Sequence, residues 1–444
     1  MEENTSEGRL TEFGSHQKRA LLVGTYPAGE KKKCEEHLDE LESLATTFGL
    51  TTALKLSAPL REIHAATFLG KGKVEEIGQL VLEHLCDVVI FDDEIAPHQQ
   101  RNLEKTLKCT VIDRTELILG VFAQRAQTKE ARLQVELASC RYQLPRLRRL
   151  WTHLSRQRSG GASGGAVKGE GEKQIEIDKR ILKREVDKLQ KELEEVKKHR
   201  HTQRRARERK AIPTFAIIGY TNVGKSTLLK ALTDADVLVE DKLFATLDTT
   251  TRKFTLPNKQ NILLVDTVGF IRKIPHPLVA AFKGTLEEAV EADILLHLID
   301  VSHPAADDQA KATYEVLKEL GALGRPIITL LNKTDQCLTR LMIDRVRFKY
   351  PKTVEISALN KTGFERLMDL MVREISLLRK RVNLRVPQKD YALVSEILRE
   401  GRILACEYEE NDILLEVEIP EDLEPKINPF VLHDSETLTP RGAP

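Results

Sequence analysis

The residues in this chain best suited to chemistry lie in one stretch: Gly219-Tyr220-Thr221-Asn222-Val223-Gly224-Lys225-Ser226-Thr227. The spacing is Gly, four residues, then Gly-Lys-Ser. Glycines at these places let backbone N–H groups curl around phosphate oxygens, Lys225 brings a full positive charge, and the Ser226 hydroxyl suits Mg²⁺. An apolar run, Phe215 to Ile218, comes before it, and Leu228 to Leu232 follow at helical spacing. Strand, turn and helix in that order would add the partial positive charge of a helix N-terminus to the same point.

A glycine turn alone can be only a turn. Four further motifs, in order along the chain, argue otherwise. Lys242 to Thr251 is a threonine-rich loop, from which the Thr246 hydroxyl can reach Mg²⁺ and close the loop over a γ-phosphate. Ile262 to Val265 reads as a buried strand ending in Asp266-Thr267-Val268-Gly269. Asp266 is placed to hold Mg²⁺, and the Gly269 N–H to sense the γ-phosphate. Ile327 to Leu331 is another strand, ending in Asn332-Lys333-Thr334-Asp335. A carboxylate at Asp335 accepts from both N1–H and the 2-amino group of guanine, a donor pair that adenine lacks. Finally Val354-Glu355-Ile356 leads into Ser357-Ala358-Leu359, whose backbone can meet guanine O6. Together these motifs point to a site for GTP and GDP, with Lys225, Thr246, Gly269 and Asn222 expected to act in hydrolysis. Phe270 stands where Ras-type GTPases carry a water-positioning Gln. An apolar side chain cannot orient water, so turnover is expected to be slow alone and to need help from a partner, a bound cation or another loop.

The elements that must position these residues repeat as βαβ from Ile212, which predicts a parallel sheet wrapped by helices over 212–377. Upstream, a second α/β pattern covers 17–114: strands near 20–23, 51–56, 87–91 and 109–112, with helices near 31–48, 70–77 and 97–107. Gly70-Lys71-Gly72-Lys73 reads as a helix start, and Asp92-Asp93-Glu94 as the solvated end of a strand. Between the two units, Leu133, Leu137, Cys140, Leu144 and Leu147, and then Ile175, Leu182, Val186, Leu189, Leu193 and Val196, recur at heptad-like gaps. They predict a long antiparallel helical hairpin over 115–211. Residues 378–444 read as a small α/β unit with a loose tail from His433, and residues 1–16 as a flexible tail. The predicted class is therefore multidomain α/β: an N-terminal α/β domain, the hairpin, a Ras-like parallel-sheet domain and a small C-terminal α/β domain.

Composition narrows the functional classes. The 444 residues are 41% hydrophobic and 31% charged with net charge +1, which suits folded domains rather than disorder. Six scattered cysteines form no Cys-x-x-Cys pair, so neither a disulfide framework nor a zinc site is expected. With no apolar leader or spanning stretch, a cytoplasmic, monomeric protein without stable membrane insertion is expected. Local charge is less even. Residues 141–158 hold Arg141, Arg146, Arg148, Arg149, Arg156 and Arg158 and no acidic residue, followed by a glycine-rich loop over 159–171 that includes Lys168. Arginine forks grip phosphate bidentately, so Arg146, Arg148, Arg149, Arg156, Arg158 and Lys168 are the candidate RNA contacts. Anionic lipid is the alternative polyanion, which would make the protein a regulatory GTPase switch acting on protein partners at a membrane surface and partly membrane-associated. The hairpin lacks the aromatic face that interfacial insertion prefers.

Leu154 to Gly161, Gly169 to Gln174, Gly219 to Thr227 and Phe244-Ala245-Thr246-Leu247-Asp248 together resemble the HflX family of translation GTPases, related to the Obg group. The resemblance runs from about Ala20 to the end of the Ras-like unit. It implies GTP hydrolysis with Mg²⁺, held by Ser226, Thr246 and Asp266. It also implies binding to the large ribosomal subunit near the peptidyl-transferase region, and a part in ribosome splitting or rescue. In several similar GTPases an Asn at the place of Asn222 ligates K⁺, which makes K⁺ a candidate second cation.

Overall fold

A computed structural model describes residues 18–157, 168–208, 212–233, 243–247, 249–273, 290–337, 339–400, 402–409, 411–419 and 423–432. The expected tails at 1–16 and from His433, and most of the glycine-rich loop, lie outside the described residues.

The N-terminal unit is a parallel sheet of β1 (Arg19–Tyr26), β2 (Thr51–Pro59), β3 (Val88–Phe91) and β4 (Thr110–Asp113), in the order β2-β1-β3-β4. Its helices are α1 (Lys31–Phe48), α2 (Lys71–Glu83), α3 (Pro97–Leu107) and α4 (Arg114–Arg125). Period-two alternation sends neighbouring strand residues to opposite faces. Ala20, Leu22, Val88 and Ile90 pack with Leu38 and Leu41 of α1 and Leu117 and Val121 of α4. Leu21, Val23, Val89 and Phe91 pack with Ile77 of α2 and Leu103 of α3. The sheet is therefore covered on both faces, as parallel sheets require. Gly70 is the residue before α2, so the Gly70–Lys73 turn starts a helix as expected.

Two long helices follow, α5 (Lys129–Gln157) and α6 (Lys168–Glu208). They share a seam of Leu133, Leu137, Cys140, Leu189 and Leu193, flanked by Leu182, Val186 and Val196. α4 packs in the N-terminal core, and the first of the two long helices starts at Lys129.

The second sheet has the order β10-β9-β8-β5-β7-β6. Along the chain it comprises β5 (Thr214–Gly219), α7 (Lys225–Thr233), β6 (Thr250–Thr255), β7 (Asn261–Asp266), β8 (Ile294–Asp300), α8 (Ala306–Glu319), β9 (Ile327–Asn332), α9 (Arg340–Arg347), β10 (Thr353–Glu355) and α10 (Phe364–Leu377). All pairings are parallel except β6 with β7. This Ras-like unit is joined to the N-terminal unit by one continuous apolar cluster, in which Phe122 of α4 meets Phe244 edge-on at 4.4 Å between ring centroids.

The C-terminal unit corrects a boundary. Arg379-Lys380-Arg381 reads as the basic end of a helix, yet α10 stops at Leu377 and Lys380 opens a strand. That strand, β11 (Lys380–Pro387), joins β12 (Arg402–Glu409) and β13 (Asp412–Ile419) in an antiparallel sheet of order β11-β13-β12, against which α11 (Tyr391–Glu400) packs. Val382, Leu384 and Val386 alternate inward onto Val394 and Ile397. Among the described residues no helix is long and apolar enough to cross a membrane.

Candidate nucleotide site

Three strand ends of the Ras-like sheet converge at one edge. β5 runs into the turn that starts α7, β7 ends at Asp266, and β9 ends at Asn332. The glycine turn, residues 244–246 and Gly269 form an open cleft lined by Thr221, Asn222, Gly224, Lys225, Ser226, Thr227, Phe244, Ala245, Thr246 and Gly269. Gly224 has φ +96°, and a Cβ there would lie 2.5 Å from Asn332 Nδ2. A Cβ on Gly269 would lie 2.8 Å from Lys225 Nζ. Both positions thus need glycine, one for its backbone and both for close approach.

The charged groups are poised rather than neutralised. Lys225 is buried and donates to the carbonyls of Tyr220 at 2.6 Å and Gly219 at 3.3 Å. Burial pulls its ammonium down to about 8, with Asp266 pulling the other way. Ser226 Oγ lies 2.7 Å from Asp266 Oδ2 and 2.7 Å from Thr246 Oγ1, and Thr246 Oγ1 is 3.1 Å from the same carboxylate oxygen. Burial raises the Asp266 carboxyl, only partly offset by Lys225 and the two hydroxyls. Its Oδ1 and the Thr221 hydroxyl are buried without a hydrogen-bond partner among the described residues. Three hard oxygens at one point, with an orphaned carboxylate oxygen beside them, fit a hard divalent cation such as Mg²⁺.

The base-recognition loops take distinct roles. Asp335, in the short turn Thr334–Gln336, is exposed and available to a base. Asn332 is a brace: its amide donates to Val223 O at 2.7 Å and accepts from Ala358 N at 2.9 Å. The Ala358 N–H thus donates to Asn332 in this structure and ties the two base-recognition loops together. Lys333 pairs with Asp300 at 2.7 Å, and the buried Ser357 hydroxyl accepts from Asn360 N.

Residues 35–123 match the family described as GTP-binding GTPase N-terminal, 125–207 GTP-binding GTPase Middle Region, and 214–333 50S ribosome-binding GTPase. GTPase HflX of Chlamydia pneumoniae is 48% identical over 415 residues, which cover 93% of this chain and 88% of that protein. GTPase HflX of Caldanaerobacter subterraneus is 41% identical over 423 residues, covering 95% and 96%. This chain belongs to the HflX GTPase family. It is a GTP-hydrolysing enzyme, and the cleft lies in its matching GTPase region.

For an HflX GTPase, several residues sit where the sequence does not suggest. Phe270 is fully buried, consistent with its inability to orient water. Its backbone bonds to the glycine turn instead: Phe270 N donates to Gly219 O at 3.0 Å, and Thr221 N donates to Phe270 O at 2.7 Å. The Tyr220 hydroxyl is not among the groups lining the cleft; it donates to Glu40 at 2.9 Å and accepts from Arg272 N at 2.8 Å. Asp92, expected at a solvated strand end, is 4% exposed and pairs with Arg114, Arg272 and Lys273. Burial alone would raise the Asp92 carboxyl, but these three cations outweigh it and hold it below its ordinary range.

The largest correction concerns RNA contact. Arg146 does not face outward. Its side chain is 13% exposed and pairs with the fully buried Asp113 at 2.6 Å. It also donates to Gln100 Oε1 and Ile95 O and stacks 3.9 Å above the Tyr142 ring. It therefore fastens α5 to the N-terminal sheet. Arg158 and the side chains of Arg148, Arg149, Arg156 and Lys168 lie outside the described residues.

Proposed function

We propose that this GTPase binds the large ribosomal subunit, that its nucleotide state sets the affinity, and that it acts in ribosome splitting or rescue. The match of residues 214–333 to GTPases described as 50S ribosome-binding carries the reading. In this proposal α5 and α6 are an antiparallel hairpin. Its far end, with Arg148, Arg149, Arg156, Arg158 and Lys168, meets rRNA near the peptidyl-transferase region. Arg146 is excluded from that surface by its place against Asp113.

At the cleft, Lys225 and the backbone N–H groups of the glycine turn hold the β- and γ-phosphates. Asp335 selects guanine. Ser226, Thr246 and Asp266 would hold Mg²⁺, which neutralises charge on the phosphoryl oxygens when bound. The Gly269 N–H reports the γ-phosphate, and its loss frees the segment that follows. Asn222 is the proposed K⁺ ligand, and turnover in K⁺ should exceed turnover in Na⁺. Among the described residues no side chain in the cleft replaces the water-positioning Gln, which supports slow turnover alone and stimulation by the ribosome. The test is GTP turnover with and without isolated large subunits, over a salt series. Stimulation that weakens steeply with salt supports the proposal. Unchanged turnover, with no association in a non-hydrolysable GTP analogue, overturns it.

A further inference from the structure

The N-terminal sheet has the strand order β2-β1-β3-β4, so its connections switch direction between β1 and β3. In open parallel sheets the crevice outside the carboxyl ends at such a point is where ligands bind. Here Thr25, Asp92 and Asp93 stand at that crevice, and residues of the GTPase unit fill it. Lys273 Nζ meets Asp92 at 3.0 Å and Asp93 at 2.8 Å, and Arg272 meets Asp92 at 3.2 Å. Thr25 Oγ1 donates to Asp93 at 2.6 Å and orients it. Both cations belong to the segment that leaves Gly269.

Glu40 on α1 links this crevice to the phosphate loops. Its Oε2 accepts from Arg272 Nε at 2.6 Å. Its Oε1 accepts from Arg114 at 2.6 Å and from the Tyr220 hydroxyl of the glycine turn at 2.9 Å. The Tyr220 oxygen in turn accepts from the backbone N–H of Arg272. One carboxylate thus joins the glycine turn to the segment after Gly269, and those two stretches are already paired through Phe270. Three acids, Glu40, Asp92 and Asp93, face three bases, Arg114, Arg272 and Lys273, so the cluster balances its charge. Glu40 and Arg272 are 17% and 16% exposed, so water replaces a lost partner only in part. The third phosphate loop is held from the same helix, since Leu243 N donates to Thr47 Oγ1 of α1 at 3.2 Å.

We propose that Glu40 is a positioning residue for GTP hydrolysis, holding the glycine turn through Tyr220 and the segment after Gly269 through Arg272. The N-terminal unit is then part of the nucleotide site's framework, and α1 is the element that ties it to the phosphate loops. This inference concerns the intrinsic GTPase reaction and stands apart from ribosome binding.

The test measures release of a fluorescent GDP analogue and steady-state GTP turnover, without ribosomes, in the full chain. Glu40→Gln is expected to speed release and lower kcat by about tenfold each, the scale of one charge-assisted hydrogen bond. Tyr220→Phe, which removes only the hydroxyl link, should speed release in the same direction. The double variant should fall short of the sum of the two single effects, because Tyr220 acts largely through Glu40 and adds only its own bond from the Arg272 N–H. Glu42→Gln is the control: Glu42 lies on the same helix but pairs with Lys55, and should leave both rates unchanged. Glu40→Asp should restore part of the loss. Melting curves identify any variant that fails to fold, and Tyr220→Phe then carries the test. Unchanged release and turnover in folded Glu40→Gln, or additive effects in the double variant, would overturn the proposal.

Discussion

Replacing Arg146 by Leu separates two readings of the arginine-rich helix. In the structure Arg146 neutralises Asp113, whose side chain is fully buried and otherwise accepts from the Tyr142 hydroxyl at 2.9 Å and from Glu116 N at 2.9 Å. Removing one partner of a buried pair costs about 3–5 kcal/mol because the other charge stays behind. Arg146 keeps some contact with solvent, so the low end, about 3 kcal/mol, is the better expectation. Each kcal/mol shifts the melting temperature by about 4–8 °C in a unit of roughly 100 residues, so the N-terminal unit should melt about 12–24 °C lower. Thermal melting followed by circular dichroism measures this. Adding Asp113→Asn should restore part of the loss, since it removes the stranded charge. A variant that melts like wild type while binding RNA more weakly would refute the reasoning and return Arg146 to the surface.

Two further outcomes follow from buried titratable groups. His297 is fully buried against Tyr314 and Tyr350, neither ring nitrogen has a partner among the described residues, and burial pushes its imidazole down to about 3. The unfolded chain therefore takes up this proton first, and stability should fall as pH drops from about 6.5 toward about 3. His297→Phe should remove up to about 2 kcal/mol of that loss at pH 5, read from urea unfolding at pH 7.5 and 5; parallel pH profiles would contradict it. Lys225 is held at about 8 without nucleotide. Phosphates favour its charged form, so GDP affinity should be full below that value and fall by up to about tenfold per pH unit above it. Calorimetry in buffers of different ionisation enthalpy should show proton uptake on binding near pH 8.5, and none would count against the assignment.

The nucleotide site was legible because its information is local. Gly219 to Ser226 state their own backbone and charge, Asp266 closes a strand whose apolar run is plain in the sequence, and Asp335 lies in the turn just after another. The same locality made β1 to β4 readable. What was not legible depends on partners far along the chain. Asp92 looks like a solvated strand end until Arg272, 180 residues later, is folded onto it. Arginine density cannot tell an outward side chain from Arg146, because only the fold brings Asp113 beneath it. At Lys380 the local charge suggested a helix end, while the deciding signal was the alternation of Val382, Leu384 and Val386. Tyr220 was assigned to the nucleotide through its motif. Its carbonyl accepts from Lys225, but its hydroxyl turns to the other unit.

The central claim is that this cleft selects guanine through Asp335. Exchange of GDP and XDP by wild type and Asp335→Asn tests it most directly. Xanthine carries an oxygen where guanine carries the 2-amino group, so an amide donor suits xanthine and a carboxylate suits guanine. Wild type should prefer GDP, and Asp335→Asn should lose about 100-fold in GDP affinity, the scale of two hydrogen bonds to a charged group, while gaining XDP. A variant that binds GDP as tightly as wild type would contradict the account.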